Sequence, residues 1–155
     1  MRLSVAMCTY NGEKYIREQL MSIRNQTLRI DEIVICDDCS EDDTVEIIEN
    51  LIRQYDLPVR LHVNTWNHGY RKNFEQAICR CSGDIIFLSD QDDIWLPTKP
   101  LSAILTAIRI RSSSLPMPYL STPQEYRVII KRFSTCWDWT KKPSICSTED
   151  MNSKC

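Results

Sequence analysis

Four short strand-like runs alternate with segments of helical periodicity in the first 90 residues of the chain. They predict strands at residues 3–9, 33–35, 59–63 and 85–88; the first is partly apolar, and the third alternates apolar and polar residues. Between the runs, apolar side chains recur at helical spacing, beginning with Ile16, Leu20 and Ile23. This order predicts an α/β fold with a Rossmann-like, mostly parallel sheet and flanking helices.

The second and fourth predicted helices carry more specific signals. Ser40 followed by Asp43 resembles a capping box, with Asp in place of the usual Glu, and predicts where the second helix begins. The apolar residues behind it are Val45, Ile48, Leu51, Ile52 and Tyr55, and Pro58 ends the helical region. A last helix is predicted from Leu101, Ile104, Leu105 and Ile108.

The composition is that of an ordinary globular domain. The chain has 155 residues, of which 43% are hydrophobic and 26% charged, and its net charge is −2. Without a basic surface, nucleic acid is not an expected partner. The sequence has no signal peptide and no transmembrane run, so we expect a cytoplasmic protein whose eight cysteines stay reduced.

Polar residues follow each predicted strand. They are Thr9, Tyr10 and Asn11 after the first, Asp37 and Asp38 after the second, Asn64 after the third, and Asp90, Gln91 and Asp92 after the fourth. Ligands of open α/β sheets bind outside the carboxyl ends of the strands, so these residues are expected to converge. Asp90 and Asp92 would repel each other without a counter-ion, and their oxygens suit Mg²⁺ or Mn²⁺.

Several acidic residues also have a simpler explanation. Any one of the loop residues could be a solvated side chain, and Glu13, Asp42 and Asp43 could stabilise helix N-termini. An EF-hand beginning at Asp90 is excluded, because Ile94 and Trp95 stand where the motif needs an oxygen ligand and Gly.

Two alternatives for the site involve other chemistry. Cys36-x-x-Cys39 and Cys79-x-Cys81 could form a zinc site, although the second spacing is unusual for one. A D-x-D motif could also belong to an aspartyl phosphohydrolase, in which an aspartate is the nucleophile. The motif of that superfamily tends to follow the first strand, whereas here it follows the fourth.

Four segments in a fixed order carry a family resemblance. They are VAMCTYNGEKYIREQL, DEIVICDDCSEDDT, NHGYRKNFEQAI and GDIIFLSDQDDIWLPTK. Together they resemble the nucleotide-sugar half of family-2 glycosyltransferases with the A-type fold, most of all bacterial rhamnosyltransferase-like members. The resemblance covers residues 1–99, and several linked motifs are more specific than a lone D-x-D.

The resemblance implies a set of site residues. Those expected to bind the nucleotide are Thr9, Tyr10, Glu13, Asp38, Lys72, Asn73 and Asp90. Asp38 matches the aspartate that binds the base, while Asp37 would shape the loop. Lys72 and Asn73 match a basic-Asn pair near the ribose or phosphates. Asp90 and Asp92 would hold the divalent metal, Mn²⁺ or Mg²⁺.

The implied reaction is transfer of a sugar from a nucleoside diphosphate. The donor would be a dTDP- or UDP-sugar, with rhamnose as one candidate sugar, and the acceptor a saccharide or a lipid-linked molecule of cell-surface polysaccharide or glycolipid synthesis. Such a protein is expected in the cytoplasm or peripherally at the inner face of the membrane. The general base of the family lies in the later half of the domain, so no catalytic residue is assigned.

The composition changes after Lys99. Up to Lys99 there are 11 basic and 17 acidic residues, a balance of −6, and after it 8 and 4, a balance of +4. We therefore predict a nucleotide-sugar-binding part at 1–99 and an atypical tail at 100–155, poorly ordered or translated out of frame. The A-type fold would then be incomplete, and the chain an inactive enzyme or a non-catalytic nucleotide-binding remnant.

Overall fold

The computed structural model describes residues 1–112 and 128–130. Its elements in chain order are β1 (Leu3–Thr9), α1 (Ile16–Arg24), β2 (Glu32–Asp37), α2 (Thr44–Tyr55), β3 (Val59–Val63), α3 (Tyr70–Arg80), β4 (Ile85–Asp90), α4 (Lys99–Ser112) and β5 (Val128–Ile130). Residues 113–127 and 131–155, which make up the rest of the predicted tail at 100–155, lie outside the described residues. The general base was expected somewhere in this tail.

The strands form one sheet in the order β3-β2-β1-β4-β5. The first four are parallel, and β5 runs antiparallel to β4, which confirms the predicted mostly parallel sheet. The chain builds outward from β1 through β2 to β3 and then returns to place β4 on the other side of β1. The loops after β1 and β4 therefore flank the point where the strand order reverses, which is where open α/β sheets bind ligands.

Alternate side chains of the central strands pack into two separate cores. Val5, Met7 and Ile35 face a cluster that includes Ile16, Leu20, Ile48, Leu51 and Phe87. Ala6, Val34 and Cys36 face a smaller cluster with Ala77 and Ile78 of α3. Because β1 and β2 are buried on both faces, the central residues of each strand are apolar, Val5–Cys8 in β1 and Ile33–Cys36 in β2. Each buried aliphatic side chain of this kind contributes roughly 1.5 to 3 kcal/mol.

The predicted capping box of α2 is wrong. The helix begins at Thr44, and its N-cap residue Asp43 makes no side-chain capping hydrogen bond. Ser40 instead donates its backbone N–H and its hydroxyl to the Asp37 carboxylate, at 2.8 and 2.5 Å. The Ser40 hydroxyl, which the capping box would place against the first turn of α2, is therefore hydrogen-bonded to the buried Asp37 carboxylate.

Two described elements lie beyond Lys99. The helix predicted around residues 101–108 is confirmed as α4. The short strand β5 was not predicted; it pairs with β4 through Ile85 with Ile130 and Phe87 with Val128. In the described part of the chain, no helix is long and apolar enough to cross a membrane.

A buried carboxylate ties the amino ends of the strands together. Glu32 accepts hydrogen bonds from Ser4 Oγ at 2.5 Å, Arg60 Nη2 at 2.6 Å, and Ser82 N and Oγ at 2.8 and 3.0 Å. Burial by itself raises the pKa of Glu32, but these hydrogen bonds and the Arg60 charge outweigh it and bring the pKa below its usual value. Glu32 therefore stays ionised and links β1, β2 and β3.

Candidate functional site

The loops after β1 and β2 are joined by reciprocal hydrogen bonds. The donor-acceptor pairs are Asn11 N to Ser40 Oγ (2.9 Å), Glu41 N to Asn11 Oδ1 (2.9 Å), Gly12 N to Thr44 Oγ1 (2.7 Å), Glu13 N to Asp42 Oδ2 (3.1 Å) and Asp43 N to Glu13 Oε2 (3.4 Å). Glu13 lies in the turn that leads into α1, where the N–H groups of Tyr15 and Ile16 both donate to the Gly12 carbonyl. The two loops form one rigid rim.

Asp42 is a charged member of this rim. Burial by itself raises the pKa of Asp42. Hydrogen bonds from the Thr44 hydroxyl and from the backbone N–H groups of Glu13 and Thr44 outweigh this effect, so the pKa lies below its usual value. The ionised carboxylate thus holds the start of α2 against the loop after β1.

Thr9 has its hydroxyl engaged inside the protein. It is buried, and its Oγ1 donates to Asp37 Oδ2 at 2.7 Å. Asp37 is buried as well and, through Ser40, shapes the loop after β2 as expected. The next residue, Tyr10, is 47% exposed. Of these neighbours, Tyr10 is the one whose side chain is open to a ligand.

Asp38 fastens the loop after β3. Its buried carboxylate accepts Asn64 Nδ2 at 2.9 Å and His68 N at 2.8 Å on Oδ1, and Gly69 N at 2.8 Å on Oδ2. The same loop carries Trp66, whose ring lies 4.8 Å from that of His68. Three donors on a buried carboxylate fix the backbone of residues 64–69 at the ligand-binding edge of the sheet.

Lys72 and Asn73 have opposite environments. Asn73 is buried; its Nδ2 donates to the Cys36 carbonyl at 2.7 Å, and its Oδ1 accepts Asn64 Nδ2 at 3.1 Å. Lys72 is exposed on α3. Of the expected basic-Asn pair, Lys72 is therefore the member open to a ligand, while Asn73 joins α3 to the end of β2.

Asp90 ends β4, and Asp92 and Asp93 follow it. Asp93 accepts a hydrogen bond from Lys99 Nζ at 2.7 Å, and the same Lys99 lies 4.9 Å from the centre of the Trp95 ring. Trp95 is buried against Phe87 and acts as packing. Asp90 and Asp92 are both exposed, so this pair of carboxylates lies at the protein surface at the carboxyl end of β4.

The donor atoms of this pair fit a divalent cation that also binds phosphate. Asp90 and Asp92 supply hard oxygen ligands, and Mg²⁺ or Mn²⁺ is commonly held by one or two carboxylates, waters and substrate phosphates. In residues 1–112 and 128–130, no group of three or more His, Cys, Asp or Glu side chains is placed to hold a metal by itself. A ligand phosphate would complete such a shell.

The cysteines do not suit the alternative zinc site. Burial raises the pKa of the Cys36 thiol to about 11, with the Arg80 charge lowering it in part and the Asp38 charge adding to the rise. Burial also raises the pKa of Cys8, the register partner of Cys36 on β1. Among the described residues, moreover, no three His, Cys, Asp or Glu side chains are grouped so that they could hold a zinc ion.

One residue named after the fourth strand had no role assigned from the sequence. Gln91, between the two exposed aspartates, accepts a hydrogen bond from Tyr10 N at 2.8 Å and donates from Nε2 to Tyr10 O at 3.1 Å. An amide between two acidic residues is a weak signal, and its partner lies 81 residues away in the chain. Gln91 joins the loop after β4 to the loop after β1.

The sequence matches the family model Glycosyl transferase family 2 over residues 4–113. The chain belongs to glycosyl transferase family 2. The match begins in β1 and continues through the D-x-D motif into α4. The family predicted from the four ordered motifs is therefore confirmed.

Characterised members of the family are similar to parts of this chain. The dTDP-rhamnosyl transferase RfbG of Shigella flexneri is 41% identical over 103 residues, which are 63% of this chain and 35% of RfbG. The poly(ribitol-phosphate) beta-N-acetylglucosaminyltransferase TarS of Staphylococcus aureus is 36% identical over 96 residues, 60% of this chain and 16% of TarS. The matched region thus spans about a third or less of either relative.

Solved structures confirm the A-type fold of family 2. TarS residues 1–349 in complex with UDP-GlcNAc have a TM-score of 0.63 at 30% identity, over 70% of this chain and 32% of that one. The mannosyltransferase PcManGT of Pyrobaculum calidifontis, in complex with GDP-Man and Mn²⁺, has a TM-score of 0.63 at 27% identity, over 66% of this chain and 31% of its own.

Proposed function

We propose that the carboxyl edge of the sheet binds a nucleoside diphosphate sugar together with Mn²⁺ or Mg²⁺. The observation that carries the proposal is the position of two exposed carboxylates, Asp90 at the end of β4 and Asp92 just after it. They lie beside the loop of Tyr10 at the point where the strand order reverses. The similarity to TarS, which has been solved with UDP-GlcNAc, supports the same ligand class.

The exposed residues are the ones we assign to the ligand. Tyr10, Glu13 and Lys72 contact the nucleotide, and Lys72 adds positive charge for the ribose or diphosphate. Asp92 binds the metal, and Asp90 is shared between the metal and the ribose. A divalent ion bound there neutralises charge on the departing diphosphate.

The buried members of the predicted set act by positioning. The polar side-chain atoms of Thr9, Asp38 and Asn73 are hydrogen-bonded within the protein. Asp38, which the family resemblance assigns to the base, fixes the backbone of residues 64–69 beside that subsite. Preorganised loops of this kind reduce the entropy that a ligand must overcome on binding.

The activity we propose is metal-assisted glycosyl transfer, with residues 1–99 as the donor-binding part. The acceptor is a saccharide or a lipid-linked molecule, and the latter would place the protein at the inner face of a membrane. Similarity to RfbG favours dTDP-rhamnose as donor, and similarity to TarS favours UDP-GlcNAc. An aspartyl phosphohydrolase gains no support, because the D-x-D follows the fourth strand of a family-2 domain.

Ligand-observed NMR tests the donor assignment without an acceptor. Saturation transfer to UDP, dTDP and their sugars is recorded with Mg²⁺ and with metal chelated, and Mn²⁺ is then added to broaden the diphosphate resonances of bound ligand. We expect metal-dependent transfer, strongest for the true nucleotide. A folded chain that transfers no saturation to either nucleotide would contradict the proposal.

A further inference from the structure

We propose that Gln91 is a positioning residue that sets the spacing between the nucleotide loop after β1 and the metal-bearing loop after β4. This inference rests on the donor site proposed above and assigns a role to the central residue of its D-x-D motif. The two hydrogen bonds to the Tyr10 backbone carry it.

At the ends of β1 and β4, the Gln91 carboxamide makes the hydrogen bonds that a backbone peptide group would make in the sheet. The last register pair of β1 with β4 is Cys8 with Asp90, and β1 ends one residue later. Beyond that pair, the Gln91 carboxamide offers one C=O and one N–H to the N–H and C=O of Tyr10. A primary amide has the same donor and acceptor as a peptide group, so it continues the ladder by one step.

Gly12 provides the room for this side chain. A Cβ at position 12 would lie 2.6 Å from Cδ of Gln91, which is closer than carbon atoms approach without a shift. Gly12 is itself held, because its N–H donates to Thr44 Oγ1 at 2.7 Å. The carboxamide therefore lies directly over the backbone of a loop that cannot easily move away.

Hydrogen bonds to α1 hold the end of β4 and the loop after it from the other side. The buried Gln19 of α1 donates to Ser89 Oγ at 2.6 Å, and Trp95 N donates to Ser22 Oγ at 3.0 Å. With α1 behind it and Tyr10 beside it, the segment that carries Asp90 and Asp92 has a fixed position relative to the nucleotide loop. A ligand bound by both loops needs this fixed span.

The chemistry of the position requires an amide. A glutamate at 91 would keep an acceptor for Tyr10 N–H, but it would lose the donor to Tyr10 O and place a third carboxylate between Asp90 and Asp92. A leucine of similar size would lose both hydrogen bonds without adding charge. Comparing the two substitutions therefore separates the effect of the hydrogen bonds to Tyr10 from the effect of an added negative charge.

The test is calorimetric titration of the full chain with UDP and with dTDP, each with and without Mn²⁺. The readout is the metal coupling, defined as the ratio of the Kd without Mn²⁺ to the Kd with it. We expect Gln91→Leu to lower this coupling about tenfold, because both hydrogen bonds to Tyr10 are lost and each contributes a few-fold. Gln54→Leu, an exposed position on α2, should keep the wild-type coupling.

The outcomes separate the two proposals. Wild-type coupling in Gln91→Leu, with metal-dependent binding intact in the wild type, would overturn the role of Gln91 and leave the donor site standing. No nucleotide binding by the folded wild-type chain would overturn the donor site and this inference with it. If Gln91→Leu fails to fold, Gln91→Ala, which also loses both hydrogen bonds without adding charge, provides the same comparison, with the loss of coupling expected and its retention contradicting the role.

A second comparison uses Gly12. Gly12→Ala should reduce the metal coupling in the wild-type background, because its Cβ displaces the carboxamide, and should have little further effect in a Gln91→Ala background, where the carboxamide is absent. Amide hydrogen exchange should also become faster at Tyr10 in Gln91→Leu. If Gly12→Ala and Gln91→Ala lowered the metal coupling additively, or if amide exchange at Tyr10 were unchanged in Gln91→Leu, the proposed role of the Gln91–Tyr10 hydrogen bonds would be wrong.

Discussion

Gly69 donates its backbone N–H to the carboxylate of Asp38 at 2.8 Å while holding a φ of 81° and a ψ of 153°. This backbone region is essentially restricted to glycine. This hydrogen bond joins a buried carboxylate to a backbone N–H whose conformation only glycine adopts readily. It fixes the loop after β3 at the ligand-binding edge of the sheet.

Gly69→Ala should therefore destabilise the protein by about 1 to 3 kcal/mol, through backbone strain and not through a clash, since a Cβ there would meet nothing within 4 Å. Urea denaturation measures the free energy of unfolding. Thr65→Ala, at an exposed position of the same loop, is the matched control and should change little. Equal stability of Gly69→Ala and wild type would show that the loop relaxes freely.

Adjacent residues of α3 should respond differently to the same substitution. Asn73→Ala should cost about 1 to 3 kcal/mol of stability, because it removes the side-chain donor to the buried Cys36 carbonyl and one of the two acceptors of the Asn64 amide. Lys72→Ala should leave stability unchanged and weaken nucleotide binding, more so at low salt. Thermal denaturation and titration with UDP and dTDP measure the two properties. Unchanged affinity in Lys72→Ala would remove this residue from the proposed site.

Glu32 should make stability depend on acid pH. Its pKa is lower in the folded than in the unfolded chain, so its contribution is present above its usual pKa near 4.5 and is lost as the pH falls through the folded value. Glu32→Gln should cost about 2 kcal/mol near neutral pH, and the difference from wild type should shrink in acid.

Urea denaturation over a pH series measures this dependence. Glu49→Gln is the control, since Glu49 forms an exposed pair with Arg53 at 4.0 Å and should contribute less than about 0.5 kcal/mol. A Glu32→Gln penalty that stays constant into acid would mean that the Glu32 pKa is not lowered by folding.

The thiols of Cys8 and Cys36 should be inert in the native protein. Both are buried, and burial raises the pKa of both, so that little thiolate is present near neutral pH. Iodoacetamide labelling followed by mass spectrometry should show slow modification of these two residues in buffer and complete modification in urea. Fast labelling in buffer would indicate that the smaller core opens readily.

Much of this architecture follows from local sequence. β1 and β2 were predictable because burial on both faces leaves no polar side chain to interrupt the apolar runs at their centres. The convergence of Tyr10, Asp38 and Asp90 also followed, since parallel strands bring their carboxyl ends to one edge. The capping box failed because Asp37, a residue outside the motif, competes for Ser40.

The contacts that organise the site depend on tertiary register. Whether Asp38 faces a ligand or the loop after β3 is decided by how β3 and α3 return to the sheet, 26 to 31 residues later. Gln91 meets Tyr10 because β4 inserts beside β1 in one particular register. The short strand β5 likewise depends on β4 offering an open edge, which no local signal around Val128 reveals.

The central claim, a metal-assisted donor site, is tested most directly by calorimetric titration of the wild-type chain and of Asp92→Asn with UDP and dTDP in the presence and absence of Mn²⁺. Asp56→Asn, at an exposed left-handed position after α2 that asparagine tolerates, is the control. The account predicts that wild type and Asp56→Asn bind one of the nucleotides in a metal-dependent manner, and that Asp92→Asn keeps its thermal stability but loses this dependence. Metal-dependent binding that survives in Asp92→Asn, or a folded wild-type chain that binds neither nucleotide, would contradict it.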